Sequence, residues 1–168
     1  MSSRPQAHTS AGAAVTELIL AVFRANGLLL EAGNRLVADT GLTSARWQVL
    51  GAIALAPAPL PVAHIARNMG LTRQAVQRLV NELAADGAVA FAANPHHRRA
   101  KLVQLTRKGS AAYDAASRQQ VPWSNRLAEG LAEKDVRAAA RLLRTIADRL
   151  ERAGSGRVRF SQAACPRA

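Results

Sequence analysis

The chain has 168 residues, enough for one domain with a sizeable core or a two-lobed subunit, and it contains 23 Lys and Arg residues against 11 Asp and Glu residues. The net charge of +12 favours an anionic partner over a cationic one. No apolar run long enough for a membrane span is free of charged or polar residues, and one cysteine, Cys165, can form neither an internal disulfide nor a cysteine-based metal cluster. A cytoplasmic location without membrane contact fits these observations.

The N-terminal part of the chain changes character near residue 13. Residues 1–12, MSSRPQAHTSAG, are small and polar and lack the apolar core and basic start of a secretory signal, so we expect a short disordered arm. From residue 13 to residue 38, apolar side chains recur every three to four positions, which predicts a long helix with an apolar stripe. Gly27 interrupts this pattern only mildly.

A second, shorter helix is predicted within TGLTSARWQVLGAIALAPAPLP. Thr43 or Ser44 can serve as its N-cap, and its apolar face carries Trp47, Leu50 and Ile53. The three prolines between residues 57 and 61 stop the helix, because proline lacks the backbone N–H that a helix needs.

The next segment, PVAHIARNMGLTRQAVQRLVNELAADGAV, has the spacing of a helix-turn-helix. Ala66 is small enough for two helices to approach closely, Gly70 tolerates the backbone of a tight turn, and Val76 fills the space between the helices. Thr72 can cap the second helix through its hydroxyl. The apolar face of that helix is predicted to comprise Val76, Leu79, Val80 and Leu83. Its outer face has side chains that can contact base edges or phosphate, although an ordinary solvated face has the same pattern: Arg73, Gln74, Gln77, Arg78 and Asn81.

A basic hairpin follows this helix. Gly87 can end the helix, AVAFAA and AKLVQL are predicted as strands, and the loop NPHHRR projects between them. Asn94 can start the turn through its side-chain oxygen, and Pro95 fixes the next φ. Eight Lys or Arg residues and two acids lie between Leu60 and Ser110, so this segment carries +6 of the total charge of +12. Projecting basic side chains suit the narrow, electronegative minor groove of DNA.

Two further helices are predicted within residues 110–152, separated near residues 129–133. The last one ends at Gly154 and has on one face Val136, Leu143, Ile146 and Leu150. Residues 153–168 are expected to form a flexible basic tail. The predicted fold class is therefore mainly α, with about six helices and a small β-hairpin.

The helix-turn-helix, LAADGAV, NPHHRR and LTRKG together resemble the MarR family of winged-helix regulators over roughly residues 13–152, and the helix order agrees. The resemblance implies a winged helix-turn-helix over residues 44–109 and dimerisation helices over residues 13–38 and 110–152. It implies a bacterial transcriptional regulator without a cofactor, usually a repressor, that binds a pseudo-palindromic operator in double-stranded DNA as a homodimer. The same apolar helices could instead close an intramolecular bundle.

The resemblance also assigns roles to individual residues. Thr72 would cap the recognition helix, Arg73 would contact phosphate, and the residues that face the major groove would be Gln74, Ala75, Gln77 and Arg78. In the wing, Arg99 is the candidate for minor-groove insertion, supported by Arg98 and Lys101. The family's wing has aspartates where this chain has Asn94 and His97, so the carboxylate that would orient Arg99 is missing.

Proteins of this family often bind small aromatic or phenolic anions in a cleft between the dimerisation helices and the winged helix. Trp47 is the candidate ligand-binding residue, and the alternative is that it belongs to the core, as most tryptophans on apolar helix faces do. Ligand binding would change the spacing of the two recognition helices, which lie about 34–36 Å apart when they reach successive major grooves.

Other functions fit the residues less well. His8, His64, His96 and His97 form no helical i, i+4 pair and have no cysteine partner, so no metal site is predicted. No enzyme is predicted, because a nucleophile such as Ser110 would need a base and an orienting partner. His96 and His97 could add a pH-dependent charge near phosphate. Two alternatives stay open: a nonspecific nucleic-acid-binding or nucleoid-associated module, and a ligand- or partner-binding protein with a vestigial winged helix.

Overall fold

The computed structural model of the protein describes residues 7–97 and 99–156. Within these residues, six α-helices and a three-stranded antiparallel sheet confirm the predicted fold class. The helices are α1 (Ser10–Leu36), α2 (Ser44–Ala54), α3 (Val62–Met69), α4 (Arg73–Ala85), α5 (Arg107–Leu127) and α6 (Glu133–Gly156). The strands are β1 (Leu60–Pro61), β2 (Val89–Ala92) and β3 (Leu102–Leu105). A short 3-10 helix, Ala38–Thr40, follows α1.

Helix α1 begins before the apolar pattern does. The Thr9 hydroxyl accepts a hydrogen bond from the Gly12 N–H at 3.0 Å, and this cap starts the helix at Ser10. Residues 10–12 are therefore helical, and the expectation of a disordered arm is wrong for them; residues 1–6 lie outside the described part of the chain. At the other end, α1 stops at Leu36 and does not reach the predicted end at residue 38.

By length and composition, α1 could cross a membrane, since its mean hydropathy is 1.6 over an 18-residue window and none of that window is buried. The sequence argument against a span relied on interruptions by residues such as Arg24, which an average over a window does not register. A helix that packs against another subunit has the same length and apolarity, so this observation alone is weak evidence for a membrane span.

The described residues divide into two compact units, residues 7–123 and residues 124–156. In the first unit, α2, α3 and α4 surround the core with the sheet. The largest fully buried side chains of this core include Leu50 from α2, Ile65 from α3, Leu83 from α4 and Val103 from β3. The second unit contains the end of α5 and all of α6.

The sheet has the order β1-β3-β2, with both pairs antiparallel. The β2–β3 pair is the predicted hairpin, with Phe91 opposite Val103. Strand β1 was not predicted, because the prolines around it indicated only the end of a helix. Pro61 has no N–H to donate, and it lies opposite Leu102 in an edge strand, where proline is tolerated. This strand places the beginning of α3 beside the hairpin.

The segment LTRKG joins the hairpin to α5. The Thr106 hydroxyl accepts from the Gly109 N–H at 3.1 Å and donates to the Gly87 carbonyl at 2.7 Å, so Thr106 caps the start of α5. A Cβ at Gly109 would lie 1.9 Å from the Ala88 carbonyl oxygen. Only glycine fits this contact, which holds the start of α5 against the chain that follows α4.

The structure corrects the predicted end of the last helix. A turn in which Gly130 has φ +77° separates α5 from α6, within the range predicted for the break. Helix α6 runs to Gly156, so Gly154 does not end it, and residues 153–156 are helical where a flexible tail was expected. Residues 157–168, including Cys165, lie outside the described residues.

Candidate nucleic-acid interface

The helix-turn-helix has the geometry that its spacing predicted. Ala66 and Val76 are buried, with exposed fractions of 3% and 0%, and Gly70 has φ +64° in the turn between α3 and α4. The Thr72 hydroxyl accepts from the Ala75 N–H at 3.2 Å, which confirms the predicted cap of α4. The predicted buried face of α4 is confirmed in all four of its residues: Val76, Leu79, Val80 and Leu83.

The outer face of α4 carries the predicted polar residues. Most of them are exposed, and Ala75 and Gln77 are half-buried. The Gln77 Nε2 group donates to the Asn81 Oδ1 atom at 2.9 Å, and the Arg78 Nε atom lies 3.8 Å from a carboxylate oxygen of Glu82. The outer face of α4 therefore carries two pairs of contacting side chains, each with its members one helical turn apart.

Asn94 closes the wing loop. Its Oδ1 atom accepts from the His96 N–H at 3.0 Å, as the sequence predicted, and its Nδ2 group donates to the Ala100 carbonyl at 2.9 Å. The second bond joins the two sides of the loop. His96 and His97 are exposed near its tip. Across the described part of the chain, no group of three or more His, Cys, Asp or Glu residues is arranged to hold a metal ion.

The basic residues of the wing differ in how they are held. Arg99 is exposed, and its side chain has no hydrogen bond or ion pair within the described residues. Lys101 lies with its Nζ atom 6.0 Å from the centre of the Phe91 ring, a distance suited to a cation–π contact. Arg98 lies outside the described residues. Since no carboxylate of the described residues contacts Arg99, its placement depends on the loop that Asn94 closes.

A groove of about 340 Å³ separates the recognition helix from the wing. Arg73 and Gln77 line it from α4, and Arg99 and Lys101 line it from the wing. Phe91 and the first residues of α3, which has no side-chain N-cap, also line it, and Pro61 and Ala100 complete the lining. Three cationic side chains thus surround an opening with no acidic residue in its lining, an arrangement that suits a phosphate group.

The end of the recognition helix is fixed to two other helices. Arg46 of α2 forms an ion pair with the Asp86 carboxylate, and Lys108 of α5 donates to the Asp86 carbonyl at 2.6 Å. The Arg46 side chain is only 18% exposed, whereas that of Asp86 is 50% exposed. Movement of α2 or α5 would therefore be transmitted to the end of α4.

A second opening, of about 290 Å³, lies between α1, α2 and α5. Its lining includes Trp47 and Gln48 from α2, and Gln120 and Trp123 from α5. Trp47 is half-buried and also packs against the core, so it belongs to the core and lines the cleft at once. The cleft thus presents two aromatic rings and three side-chain amides, those of Asn26, Gln48 and Gln120.

Three residues at these sites make contacts that were not predicted from the sequence. Phe91 lines the groove from β2, and β3 joins this strand to the unpredicted strand β1, which leads into α3. Asn81 was predicted as one of the outer side chains that can contact base edges or phosphate, but its hydrogen bond to Gln77, which their i, i+4 spacing permits, was not predicted. Trp123 reaches the cleft through the packing of α5, which no local pattern in the sequence shows.

Comparisons of sequence identify several relatives. The model of the MarR family matches residues 40–100. An uncharacterized protein of Mycobacterium tuberculosis is 36% identical over 117 residues, which span 70% of this chain and 80% of that protein. The transcriptional activatory protein BadR of Rhodopseudomonas palustris is 27% identical over 106 residues, which span 62% of this chain and 61% of BadR.

Solved structures share the fold. CouR from Rhodococcus jostii RHA1, in a crystal structure bound to p-coumaroyl-CoA, matches with a TM-score of 0.70 and 28% identity over 77% of this chain and 91% of CouR. The Mycobacterium tuberculosis regulator MosR, in a complex with DNA, matches with a TM-score of 0.68 and 24% identity over 80% of this chain and 96% of MosR. The likeness to MosR shows the fold alone.

Proposed function

This chain belongs to the MarR family of winged helix-turn-helix, DNA-binding transcriptional regulators, and we propose that it binds a pseudo-palindromic operator as a cytoplasmic homodimer and acts as a repressor. The groove between α4 and the wing carries this proposal, because cationic side chains from both elements line it. A recognition helix in the major groove and a wing over the adjacent minor groove would place the intervening phosphate chain there.

The proposed contacts follow from exposure and chemistry. Thr72 fixes the start of α4, Arg73 contacts phosphate, and the residues directed to the major groove are Gln74, Ala75, Gln77 and Arg78. Arg99 enters the minor groove, whose potential attracts a projecting guanidinium, and Lys101 and Arg98 support it through phosphate contacts. Exposure of Arg73, Gln74, Arg78 and Arg99 in the structure supports this assignment.

The proposed homodimer rests on exposed apolar side chains in the helices at both ends of the chain. In α1, Ile19 and Phe23 are 41% and 69% exposed; in α6, Leu143 and Leu150 are 41% and 68% exposed. Exposed apolar side chains that are grouped on a helix often mark an interaction surface. A second copy of the chain would cover them through a two-fold interface and would set the spacing of the two recognition helices.

An aromatic or phenolic anion is the proposed effector, bound in the cleft that Trp47 and Trp123 line. The cleft offers ring faces for stacking and the amides of Gln48 and Gln120 as hydrogen-bond donors. The p-coumaroyl-CoA in the CouR crystal structure is a phenolic ligand of a related fold. Because α2 and α5 both contact Asp86, a ligand between them would alter the position of α4 and release the operator.

Selection of bound duplexes from random DNA tests the proposal. A sequence-specific homodimer should enrich a palindrome with two half-sites about 10 base pairs apart and should bind it about a thousandfold more tightly than random duplex at physiological salt. Equal affinities would instead support the nonspecific nucleic-acid-binding module. A folded protein with no DNA affinity would support the ligand- or partner-binding protein with a vestigial winged helix.

The sign of regulation needs a separate experiment, since BadR, by its name, is an activator. The enriched palindrome would be placed across the start site of a reporter promoter in a bacterial host. Repression by the wild-type chain, lost in Gln77→Ala, would support the proposal. Increased transcription from the palindrome placed upstream of the same promoter would identify an activator.

A further inference from the structure

We propose that Asn81 is a positioning residue that orients Gln77 to select adenine in the major groove, an inference that rests on the proposed function. The Gln77 Nε2 group donates to Asn81 Oδ1 at 2.9 Å, and both residues lie on the outer face of α4. Asn81 therefore acts on base choice through Gln77, without a contact of its own to the base.

The chemistry of the glutamine amide explains the preference. The amide has two N–H donors and one carbonyl acceptor, and one donor is used in the bond to Asn81. One N–H and the Oε1 atom are left. Adenine presents the complementary pair in the major groove, an acceptor at N7 and a donor at N6, so the remaining groups of Gln77 can bind it at two points.

The bond to Asn81 also restricts the side chain before DNA binds. A free glutamine rotates about three side-chain bonds, and a base contact must order all of them. Gln77 is already half-buried where it lines the groove, and its hydrogen bond to Asn81 holds the terminal amide in one orientation. The oriented amide therefore loses less freedom on binding, which raises the affinity for the matching base.

The neighbouring pair on the same face is of a different kind. Arg78 and Glu82 are also one turn apart, but their closest atoms are 3.8 Å apart and both side chains are largely exposed. That contact is beyond the length of a hydrogen bond and does not fix the guanidinium. Of the two pairs, only Gln77 and Asn81 form an oriented hydrogen bond, and base choice should depend on it.

The test is selection from random duplex DNA with four full-length proteins: wild type, Asn81→Ala, Asn81→Asp and Gln77→Ala. Gln77→Ala identifies the position that Gln77 reads, where the wild type should prefer adenine by about 5- to 150-fold. Asn81→Ala should lower this preference roughly 2- to 12-fold, since it removes the acceptor and leaves Gln77 in place. Asn81→Asp should keep the preference, because a carboxylate oxygen also accepts from Nε2, while affinity falls for all sequences through repulsion of phosphate.

A fifth protein, Gln77→Ala with Asn81→Ala, separates an indirect role from a direct one. If Asn81 acts through Gln77, the double variant has the base preferences of Gln77→Ala. A further change in base preference would mean that Asn81 contacts DNA itself and would overturn the proposal. Thermal unfolding checks that all variants are folded, which the exposure of Asn81 leads us to expect.

Other outcomes are equally decisive. The proposal is wrong if Asn81→Ala keeps the full preference, if Asn81→Asp loses it, or if the base read by Gln77 is not adenine. These results would leave the regulator function intact, provided that the wild type still enriches a palindrome. If the wild type enriches no sequence, the proposed function fails first and the role of Asn81 fails with it.

Discussion

At the scale of single residues, Gly109 is a position near the candidate DNA-binding surface where a side chain is not tolerated. Its ideal Cβ would lie 1.9 Å from the Ala88 carbonyl oxygen, a backbone atom that cannot rotate away. Gly109→Ala should therefore lower the free energy of unfolding by about 1–3 kcal/mol or more, measured by urea titration. Gly154→Ala is the matched control, because among the described residues nothing outside the local backbone of α6 lies within 4 Å of a Cβ at that position. The control should be neutral or slightly stabilising, and an equal loss in both variants would contradict the argument.

Asn94 is a second residue with a defined role, because it closes the wing loop from both sides. Asn94→Ala removes two hydrogen bonds with a net contribution of about 0.5–1.5 kcal/mol each, so the loop should lose order and DNA affinity should fall roughly tenfold. The loss is expected to act through Arg99. Fluorescence anisotropy with a labelled operator should therefore give nearly equal affinities for Arg99→Ala and for the double variant Asn94→Ala with Arg99→Ala. Additive losses would indicate that the two residues act independently.

At the scale of elements, the sequence predicted those parts of the fold that local chemistry determines. The α3–α4 turn follows from Ala66, Gly70 and Thr72, whose small size, positive φ and capping hydroxyl act within a few residues. Strand β1 could not be predicted, because two residues that include a proline have no alternating pattern and exist only through pairing with β3. Helix α1 began earlier than predicted because a cap, Thr9, determines its start and the apolar stripe does not.

The candidate site also contains features that local sequence predicts and features that depend on packing between distant segments. The outward face of α4 and the turn at Asn94 follow from helical spacing and from the turn preference of asparagine, and both are local. The Arg46–Asp86 pair joins residues forty positions apart, and it exists only because α2 packs beside the end of α4. The lining of the cleft by Trp123 likewise depends on packing between helices that are distant in sequence.

The Arg46–Asp86 pair should contribute measurably to the attachment of α4. The Arg46 Nε group is buried without a hydrogen-bond partner in the described structure, so removal of the carboxylate leaves a largely buried cation with fewer compensating contacts. Asp86→Ala should cost about 1–2 kcal/mol, between the values for exposed and buried pairs, because Asp86 is half-exposed. Chemical unfolding of both single variants and of Asp86→Ala with Arg46→Met would measure the coupling energy.

The control for this measurement is the Glu31–Arg35 pair of α1, whose side chains are 65% and 67% exposed. Glu31→Gln should change stability by no more than about 0.5 kcal/mol, as is usual for exposed i, i+4 pairs. If Asp86→Ala changes the free energy of unfolding as little as the control does, the Arg46–Asp86 pair does not stabilise the attachment of α4. The proposal that a ligand in the cleft changes the position of α4 would then lose its support.

At the scale of the whole molecule, the two tryptophans of the chain line the same cleft, so intrinsic fluorescence reports on that cleft. Titration with p-coumarate should change the emission with a saturable curve, because the ligand would lie against the Trp47 and Trp123 rings. The same ligand should weaken operator binding. Trp47→Phe should reduce the fluorescence change and the release of DNA together. A titration of cinnamate, which differs from p-coumarate only in lacking the phenolic hydroxyl, would show whether that hydroxyl matters.

The proposed assembly of two chains is supported by α6, which exposes apolar side chains along its length in the single subunit. These side chains include Val136, Leu143 and Leu150. Leu143→Glu should place a charge in the proposed interface and convert the dimer to a monomer, as sedimentation equilibrium would show. Since the two winged helices would then bind their half-sites separately, affinity for the palindrome should fall about 100-fold or more, while affinity for a single half-site should stay unchanged. Leu55→Glu, at a side chain that is 79% exposed outside the helices, should leave the dimer intact. A monomeric wild type with the same operator affinity as Leu143→Glu would contradict the proposed assembly.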